Sequence, residues 1–131
     1  MFTKHNVTSS EYKTQLLLFN SHIVNVPRPY MFKESQLIMQ IIPALSISDM
    51  YGENFSDVPV HITDEIRDII ATLYLNGIEY PDITGYNFIE YQDKIWIIDF
   101  GHASYNSNPQ SYDPFIMKFI NGHNDWNPNY K

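Results

Sequence analysis

The sequence predicts a single domain of the α+β class, on the basis of three observations. One long segment places apolar residues at the 3.6-residue period of a helix, and two pairs of short β-rich runs are each separated by a polar turn. The chain has 131 residues, a length that is usual for one domain with one hydrophobic core.

The first predicted helix spans residues 9–21. Thr8 and Glu11 have the spacing of a capping box, in which both side chains accept backbone N–H groups at the start of a helix. Tyr12, Leu16 and Phe19 follow at helical spacing. The helix is therefore expected to begin close to the start of the sequence.

Two β-rich runs, 23–32 and 36–42, come next and predict a β-hairpin. Pro27 and Pro29 lie in the first run and cannot donate a hydrogen bond to a neighbouring strand. This strand is therefore expected at an edge of the sheet, or with a break at the prolines. A bare edge is a template for further pairing. We thus expect a second copy or a protein partner to cover it, unless the prolines already block it.

The best-defined predicted helix lies in the middle of the chain, because five apolar residues follow the spacing i, i+3, i+4, i+7 and i+8. They are Ile66, Ile69, Ile70, Leu73 and Tyr74. Thr63 or Asp64 can cap the start of this helix, and Gly77 is placed to end it. Ile69 and Leu73 are expected to face the core.

The last elements are a second hairpin, predicted from 88–91 and 94–98, and a helix over 113–120. Pro114 suits the first turn of that helix, where proline lacks only an N–H that has no helical partner. In the tail, Trp126 is expected to dock onto the domain.

The charge balance argues against polyanionic partners. The chain has 15 acidic residues against 8 basic ones, a net charge of −7, so neither nucleic acid nor an anionic membrane is expected as a partner. No apolar run approaches the roughly 20 residues of a membrane span. The absence of cysteine excludes a disulfide scaffold and a cysteine nucleophile, and an intracellular, cytoplasmic location fits best.

Three polar residues beside a predicted buried strand form the candidate site. Asp82 and Asn87 lie in a loop after the long helix, and Asp99 directly follows the apolar run 95–98. Mg²⁺ prefers such carboxylate and amide oxygens, and commonly takes one or two carboxylates with water and phosphate. Alternatively, both aspartates are ordinary turn or cap residues.

The loop 80–87 and the triplet Asp-Phe-Gly at 99–101 resemble the catalytic core of the protein-kinase-like superfamily. Kinases carry H-R-D-x-x-x-x-N and D-F-G, and Asp82 and Asn87 keep that spacing. The residues around these motifs are most similar to those of small atypical kinases such as RIO kinases and the kinase of the KEOPS complex. The resemblance implies that Asp82 orients the acceptor hydroxyl or takes its proton, while Asn87 and Asp99 hold Mg²⁺ on the phosphates of ATP.

The resemblance extends upstream and covers about residues 9–103. The helix that carries Glu11 is similar to the αC helix of kinases, and the strands of the first hairpin are similar to their fourth and fifth strands. The resemblance implies that Met39 is the gatekeeper. It also implies that Gln40 and Ile42 offer backbone groups of the hinge to the adenine ring.

The chain departs from the kinase pattern in several places. No two of its five glycines are close enough to form a phosphate-covering loop. Tyr80 and Pro81 replace the His and Arg of the catalytic loop, and Thr84 stands where serine/threonine kinases carry Lys. Lys4 either replaces the third-strand lysine of kinases, with Glu11 as its partner, or is a solvated lysine. The short separation from Glu11 favours the solvated lysine.

The predicted fold is therefore a minimal protein-kinase-like fold over residues 1–131, with 1–42 as a truncated N-lobe and 43–131 as a shortened C-lobe. Two functions follow from the resemblance. The first is a kinase-like protein that binds Mg²⁺ and ATP and is at most a weak phosphotransferase, which the retained Asp and Asn residues favour. The second is a catalytically inactive pseudokinase that acts as a protein-binding module, which the missing glycine loop favours.

Overall fold

The computed structural model describes residues 1–130, and Lys131, the last residue of the predicted domain, lies outside the described residues. The helices are α1 (Ser9–Ser21), α2 (Ile47–Tyr51), α3 (Val60–Leu75) and α4 (Pro114–Ile120). The strands are β1 (Phe2–Lys4), β2 (Pro29–Lys33), β3 (Gln36–Met39), β4 (Ile78–Glu79), β5 (Phe88–Tyr91), β6 (Lys94–Ile97) and β7 (Ser104–Tyr105). Short 3₁₀ turns lie at Phe55–Asp57, Gly85–Asn87 and Pro109–Ser111.

A three-stranded antiparallel sheet has the strand order β1-β3-β2. The predicted first hairpin is confirmed in β2 and β3, although both strands are shorter than expected. Glu34 and Ser35 close the hairpin with φ values of +54° and +61°, the backbone of a two-residue hairpin turn. β2 is an edge strand, in agreement with Pro29 at its start.

The sequence pattern does not predict β1, which extends the sheet on the other side of β3. In this strand Phe2 is opposite Met39 and Lys4 is opposite Leu37. A strand of three residues is too short to show the alternation that identifies strands. Its pairing with β3 fixes the position of Lys4, a residue of the candidate site.

The predicted bounds of α1 are confirmed, and the Thr8 hydroxyl accepts the Glu11 N–H at 3.1 Å, which is one half of a capping box. The Glu11 carboxylate pairs with Lys4 instead. The buried face of the helix is largely polar, in contrast to the apolar spacing from which the helix was predicted. It consists of Glu11, Thr14, Gln15 and Leu18. Gln15 is satisfied there because its side-chain amide donates to the Pro27 carbonyl at 2.9 Å.

The start of α3 lies before the predicted caps. Pro59 takes the N-cap position, and the Thr63 hydroxyl donates to the Val60 carbonyl at 3.0 Å from inside the first turn. The prediction of Thr63 or Asp64 as cap is wrong because the fixed φ of Pro59 sets the entry of the chain into the helix without a side-chain cap. Gly77 follows the helix end with a φ of +77°, as predicted.

The remaining predicted elements are confirmed with small differences. β6 ends one residue before the predicted strand end. Asp113 caps α4 by accepting the Phe115 N–H at 3.0 Å, and Pro114 is the first helical residue. Trp126 is buried, and its ring packs edge-on against Phe55 with centroids 4.8 Å apart.

Two apolar clusters hold the chain together. The larger one contains most of the buried apolar residues of α3, α4, β5 and β6, and the smaller one consists of the buried residues Val7, Leu37 and Met39 beside the sheet. In α3, Ile70 and Leu73 are fully buried, whereas Ile69 is only partly buried against the larger cluster. Across residues 1–130, no helix is long and apolar enough to cross a membrane.

We expect Ile70→Ala and Leu73→Ala each to lower the free energy of unfolding by about 2–5 kcal/mol, because each removes most of a buried side chain and leaves a cavity. Ile69→Ala should cost less. Leu75→Ala is the control, because Leu75 is 81% exposed, and it should change the free energy by no more than about 0.5 kcal/mol. Urea unfolding measures all four. Equal losses at Ile69 and Ile70 would contradict the observed buried face.

Candidate active site

Lys4 joins two carboxylates that come from distant parts of the chain. Its Nζ lies 2.5 Å from Oε2 of Glu11 and 3.1 Å from Oδ1 of Asp99. The Glu11 side chain is 6% exposed, whereas those of Lys4 and Asp99 are 28% and 42% exposed. The expectation of a solvated Lys4 is therefore wrong, and the alternative pairing with Glu11 is the one that the structure contains.

A sharp turn before α1 allows this pairing over only seven residues. Asn6 has a φ of +57°, and the next residue, Val7, donates its N–H to the Ser35 carbonyl at 2.9 Å. The chain therefore leaves β1, reverses and enters α1 with Glu11 in the first helical turn. The short separation that argued against the pairing is sufficient because the chain reverses at Asn6, a backbone conformation that the sequence pattern does not predict.

Burial and charge act in opposite directions on the pKa of Lys4. Partial burial by itself lowers the pKa, but the hydrogen bond to Glu11 and the negative charges of Asp99 and Glu11 raise it, and the net pKa lies above 10.5. Lys4 is thus a fixed cation at neutral pH, held by one buried and one half-exposed carboxylate.

Asp99 follows β6 and is fixed by the backbone on both sides. It adopts a φ of +64°, a left-handed conformation that few residues with side chains adopt, and its Oδ1 accepts the Gly101 N–H at 3.1 Å. The preceding Ile98 donates its N–H to the Asn87 carbonyl at 2.9 Å. Its carbonyl accepts the Tyr80 hydroxyl at 2.6 Å. Hydrogen bonds on both sides of Asp99 therefore fix its backbone, and one of them also orients its carboxylate.

The loop with Asp82 and Asn87 is buried and closed by its own side chains. The Asn87 side-chain amide donates to the Asp82 carbonyl at 2.8 Å. Oδ2 of Asp82 lies 3.1 Å from Nδ1 of His102. Both loop residues are 8% exposed. The amide nitrogen of Asn87 thus holds the loop, and its oxygen is the atom that could bind a cation.

Asn127 in the C-terminal tail is a residue that the sequence reading missed. It is fully buried, and its side-chain amide donates to the Pro81 carbonyl at 2.8 Å and to Oδ2 of Asp113 at 3.1 Å. Its backbone N–H donates to the Ile83 carbonyl at 2.9 Å. The tail therefore fixes the chain on both sides of Asp82. The only sequence signal for this role is the neighbouring Trp126, which marked the tail as docked.

A cavity of about 300 Å³ brings several of the predicted residues together. It is lined by Lys4, Met39, Gln40, Ile42 and Asp99, and by the apolar side chains of Phe2, Pro27, Ile41, Ile89 and Ile98. Glu11 reaches this cavity through Lys4. Asp82 and Asn87 do not line it, but the Asn87 carbonyl accepts the N–H of Ile98, which does.

The donor set of Asp99, which lines this cavity, and Asn87, which does not, fits Mg²⁺ in a limited way. Among residues 1–130, no three or more His, Asp or Glu side chains are grouped to hold a metal ion by themselves. Asp99 and Asn87 supply one carboxylate and one amide oxygen. This is a set that Mg²⁺ accepts when phosphate oxygens and water complete the shell. The residues therefore suit a metal that arrives with a phosphate ligand.

With this geometry in place, comparisons with known proteins identify the family. The sequence model of the RIO domain matches residues 3–123. This chain belongs to the RIO domain family. It is similar to the RIO-type serine/threonine-protein kinase Rio1 of Thermoplasma acidophilum, with 26% identity over 116 residues. The match covers 85% of this chain and 58% of that protein, so the chain spans little more than half the length of this relative.

Two solved kinase structures, one of a Rio2 kinase and one of a viral kinase, share the fold. The Rio2 kinase-ADP/Mg²⁺-phosphoaspartate complex from Chaetomium thermophilum matches with a TM-score of 0.66 and 16% identity, over 86% of this chain and 35% of that one. The Cydia pomonella granulovirus kinase, PK-1, matches with a TM-score of 0.54 and 20% identity, over 84% of this chain and 44% of that one. The predicted resemblance and fold class are confirmed: this is a truncated kinase fold.

The hydrogen bond from the Tyr80 hydroxyl to the Ile98 carbonyl can be tested by measuring the stability of the fold as a function of pH. Burial, followed by the charges of Asp82, Asp99 and Glu11, raises the pKa of the Tyr80 hydroxyl well above 10 in the folded chain. The unfolded chain ionises near the usual pKa of about 10, so the stability that the neutral hydroxyl contributes is lost as the pH rises above that value. In Tyr80→Phe part of this alkaline loss should vanish.

At neutral pH the same variant should be less stable by about 1–3 kcal/mol, because the partly buried Ile98 carbonyl loses its donor. Urea unfolding from about pH 8 to about pH 11 measures both effects. Tyr30→Phe is the matched control, since Tyr30 is exposed. An alkaline loss in Tyr80→Phe as large as in the unmodified chain would contradict burial of this hydroxyl as its cause.

Proposed function

We propose that this chain binds ATP with Mg²⁺ in the cavity lined by Lys4, Asp99 and the hinge segment 39–42. In this proposal residues 1–42 form a truncated N-lobe and 43–131 form a shortened C-lobe. The observation that carries the proposal is the pairing of Lys4 with Glu11 and Asp99, which places one fixed cation at the wall of a mostly apolar cavity. A cavity of this kind suits a ligand that has a flat, largely apolar ring at one end and an anionic group at the other.

The adenine ring would lie against the hinge segment. The Gln40 N–H donates to the Arg28 carbonyl at 2.9 Å, and the Ile42 carbonyl accepts the Ala44 N–H at 2.8 Å. The hinge can therefore offer the carbonyl of Gln40 and the N–H of Ile42. One acceptor and one donor would suit the edge of adenine, and Met39 would close the back of the cavity.

The phosphates would meet Lys4 at one side and Asp99 at the other. Lys4 would bind a phosphate oxygen, and its pairing with Glu11 would hold its ammonium group in place for that contact. Asp99 and Asn87 would hold Mg²⁺, which would offset the negative charge of the phosphates when bound. Without the metal, the Asp99 carboxylate would repel the same phosphates.

Asp82 would act on the acceptor. Its backbone carbonyl accepts the Asn87 side-chain amide, and its Oδ2 lies 3.1 Å from Nδ1 of His102. In this proposal the carboxylate would orient an acceptor hydroxyl and take its proton. Thr84 stands where many kinases carry a lysine, and this position therefore supplies no positive charge to the transferring group. We therefore propose weak phosphotransfer at most. The names of the relatives support the kinase reading, since Rio1 is a serine/threonine-protein kinase and the Rio2 structure is a complex with ADP and Mg²⁺.

The second candidate is a pseudokinase that acts as a protein-binding module. It is supported by the hydrogen bonds that already use the retained residues: Asp99 accepts the Gly101 N–H, and Asn87 donates to the Asp82 carbonyl. The strands β1, β2 and β3 contain no glycine that could cover phosphates. In this case a second copy or a protein partner would cover the edge strand β2.

Calorimetry of the full chain with ATP, in the presence and absence of Mg²⁺, separates the two candidates. If the chain binds the nucleotide, binding should depend on Mg²⁺, and Asp99→Asn should remove the metal-dependent part. Lys4→Met should weaken binding about tenfold or more, because it removes a charged hydrogen bond. Lys13→Met is the matched control, because Lys13 is an exposed lysine of α1, and it should leave binding unchanged.

No detectable heat at about 1 mM ATP and Mg²⁺ would overturn the nucleotide proposal for this chain and favour the binding module. The same outcome follows if Lys13→Met weakens binding as much as Lys4→Met, since a general loss of positive charge would then explain the effect. Circular dichroism of each variant verifies that the fold is intact.

A further inference from the structure

Asp82 and His102 form an aspartate–histidine pair beside the candidate site. Oδ2 of Asp82 lies 3.1 Å from Nδ1 of His102, and the two side chains are 11% and 60% exposed. The loop that carries Asp82 is fixed by the side-chain amides of Asn87 and Asn127. The carboxylate therefore meets the imidazole ring from a buried and fixed loop, and the ring is the exposed member of the pair.

The pairing decides which nitrogen of the imidazole is available for a reaction. A neutral histidine has a proton on one ring nitrogen and a lone pair on the other, and a carboxylate at Nδ1 favours the proton there. Within residues 1–130, Nε2 of His102 has no hydrogen-bond partner. The ring of Tyr130 packs beside it with centroids 5.1 Å apart, and most of the His102 side chain is still exposed. Nε2 is therefore the nitrogen that keeps its lone pair and is unpaired.

The other four histidines lack this arrangement. His5, His22, His61 and His123 make no ion pair with a carboxylate within residues 1–130. A carboxylate at Nδ1 fixes the orientation of the ring and stabilises positive charge that develops on it. A reaction that requires such an oriented imidazole should thus select His102 over the other histidines, which serve as internal controls.

The backbone places His102 next to the proposed phosphate site. The neighbouring residue, Gly101, donates its N–H to Oδ1 of Asp99 at 3.1 Å. A Cβ atom at Gly101 would lie 3.3 Å from the same oxygen and 3.5 Å from Oε1 of Glu11. The chain at residue 101 therefore runs directly against the two carboxylates that pair with Lys4. Consecutive Cα atoms are about 3.8 Å apart, so His102 follows one residue after this contact.

We propose that Nε2 of His102 accepts the γ-phosphoryl group of ATP, which makes this histidine a site of autophosphorylation. The inference rests on the proposed binding of ATP with Mg²⁺, and it adds an acceptor within the chain itself. The lone pair of Nε2 forms a bond to the γ-phosphorus, while the bond from that phosphorus to the bridging oxygen breaks and its electron pair leaves with ADP.

Asp82 is a positioning residue in this reaction. The proton on Nδ1 stays in place, and the positive charge that the ring gains on phosphorylation faces the Asp82 carboxylate. No proton is removed from the acceptor, so the transfer to His102 requires no base. The charge of Asp82 favours the phosphorylated ring over the free one, which gives the pair a direct effect on the rate.

Labelling of the full chain with [γ-³²P]ATP and Mg²⁺ tests the inference, because phosphorylated side chains differ in chemical stability. Phosphohistidine is lost in acid and survives alkali, phosphoserine and phosphothreonine survive acid, and an acyl phosphate on aspartate is lost in alkali. We expect a label that is lost in acid and survives alkali. His102→Gln should remove it. His61→Gln is the matched control at an exposed histidine of α3 and should retain it, and circular dichroism verifies the fold of each variant.

Asp82→Asn provides the second measurement. It should slow the labelling of His102 about tenfold or more, because the charge opposite the ring is lost. Asp64→Asn is the control, since Asp64 is an exposed residue of α3, and it should leave the rate unchanged. An unchanged rate in Asp82→Asn would overturn the proposed role of the pair.

Calorimetry of the unmodified chain separates a failure of this inference from a failure of the proposed function. If the chain binds ATP with Mg²⁺ but gains no acid-labile label, His102 is not an acceptor and only this inference is overturned. If the chain binds no nucleotide, both are overturned. A label that survives acid, or an acid-labile label that persists in His102→Gln, also overturns this inference, because another residue is then the acceptor.

Discussion

The ion pair of Lys4 with Glu11 and Asp99 is the interaction on which the arrangement of the candidate site depends. Glu11 is nearly buried, and a buried carboxylate is costly unless a cation and hydrogen bonds compensate it. Lys4 is that cation, and it can reach Glu11 only because β1 pairs with β3 and the chain reverses at Asn6. The same ammonium group contacts Asp99, 95 residues further along the chain. One side chain therefore sets the position of the N-terminal strand, the first helix and the end of β6.

The loop around Asp82 is held by a different principle, the satisfaction of buried backbone carbonyls by side chains. Tyr80 donates to the Ile98 carbonyl, Asn87 to that of Asp82 and Asn127 to that of Pro81. Each bond lies in a buried or partly buried region, where an unsatisfied carbonyl would cost free energy. The tail therefore has a structural role, although its backbone is irregular. It fixes a loop through Asn127, and its Trp126 packs against Phe55 in the larger apolar cluster.

Elements with a local signal could be predicted from the sequence. The capping box gave α1, the polar turns gave both hairpins and Pro114 gave the start of α4, because each signal lies within a few residues of the element. The spacing of Asp82, Asn87 and Asp99, together with its resemblance to kinase motifs, predicted a candidate site, and the roles of these residues stay predictions.

Features that depend on distant partners could not be predicted. The strand β1 is defined by its pairing with β3, and the role of Asn127 depends on a carbonyl 46 residues away. The assignment of Lys4 to solvent was wrong because seven residues were taken as too short a separation for the pairing with Glu11, whereas the left-handed Asn6 reverses the chain within that length. The cap of α3 was placed too late for a related reason, since Pro59 can start a helix without an oxygen acceptor.

A double-mutant cycle with Lys4→Met and Glu11→Gln, measured by urea unfolding, tests the central claim most directly. We expect the two residues to be coupled by about 0.5–3 kcal/mol, whereas the same cycle with Lys13→Met should be additive. Additivity of Lys4→Met and Glu11→Gln to within about 0.3 kcal/mol would contradict the account.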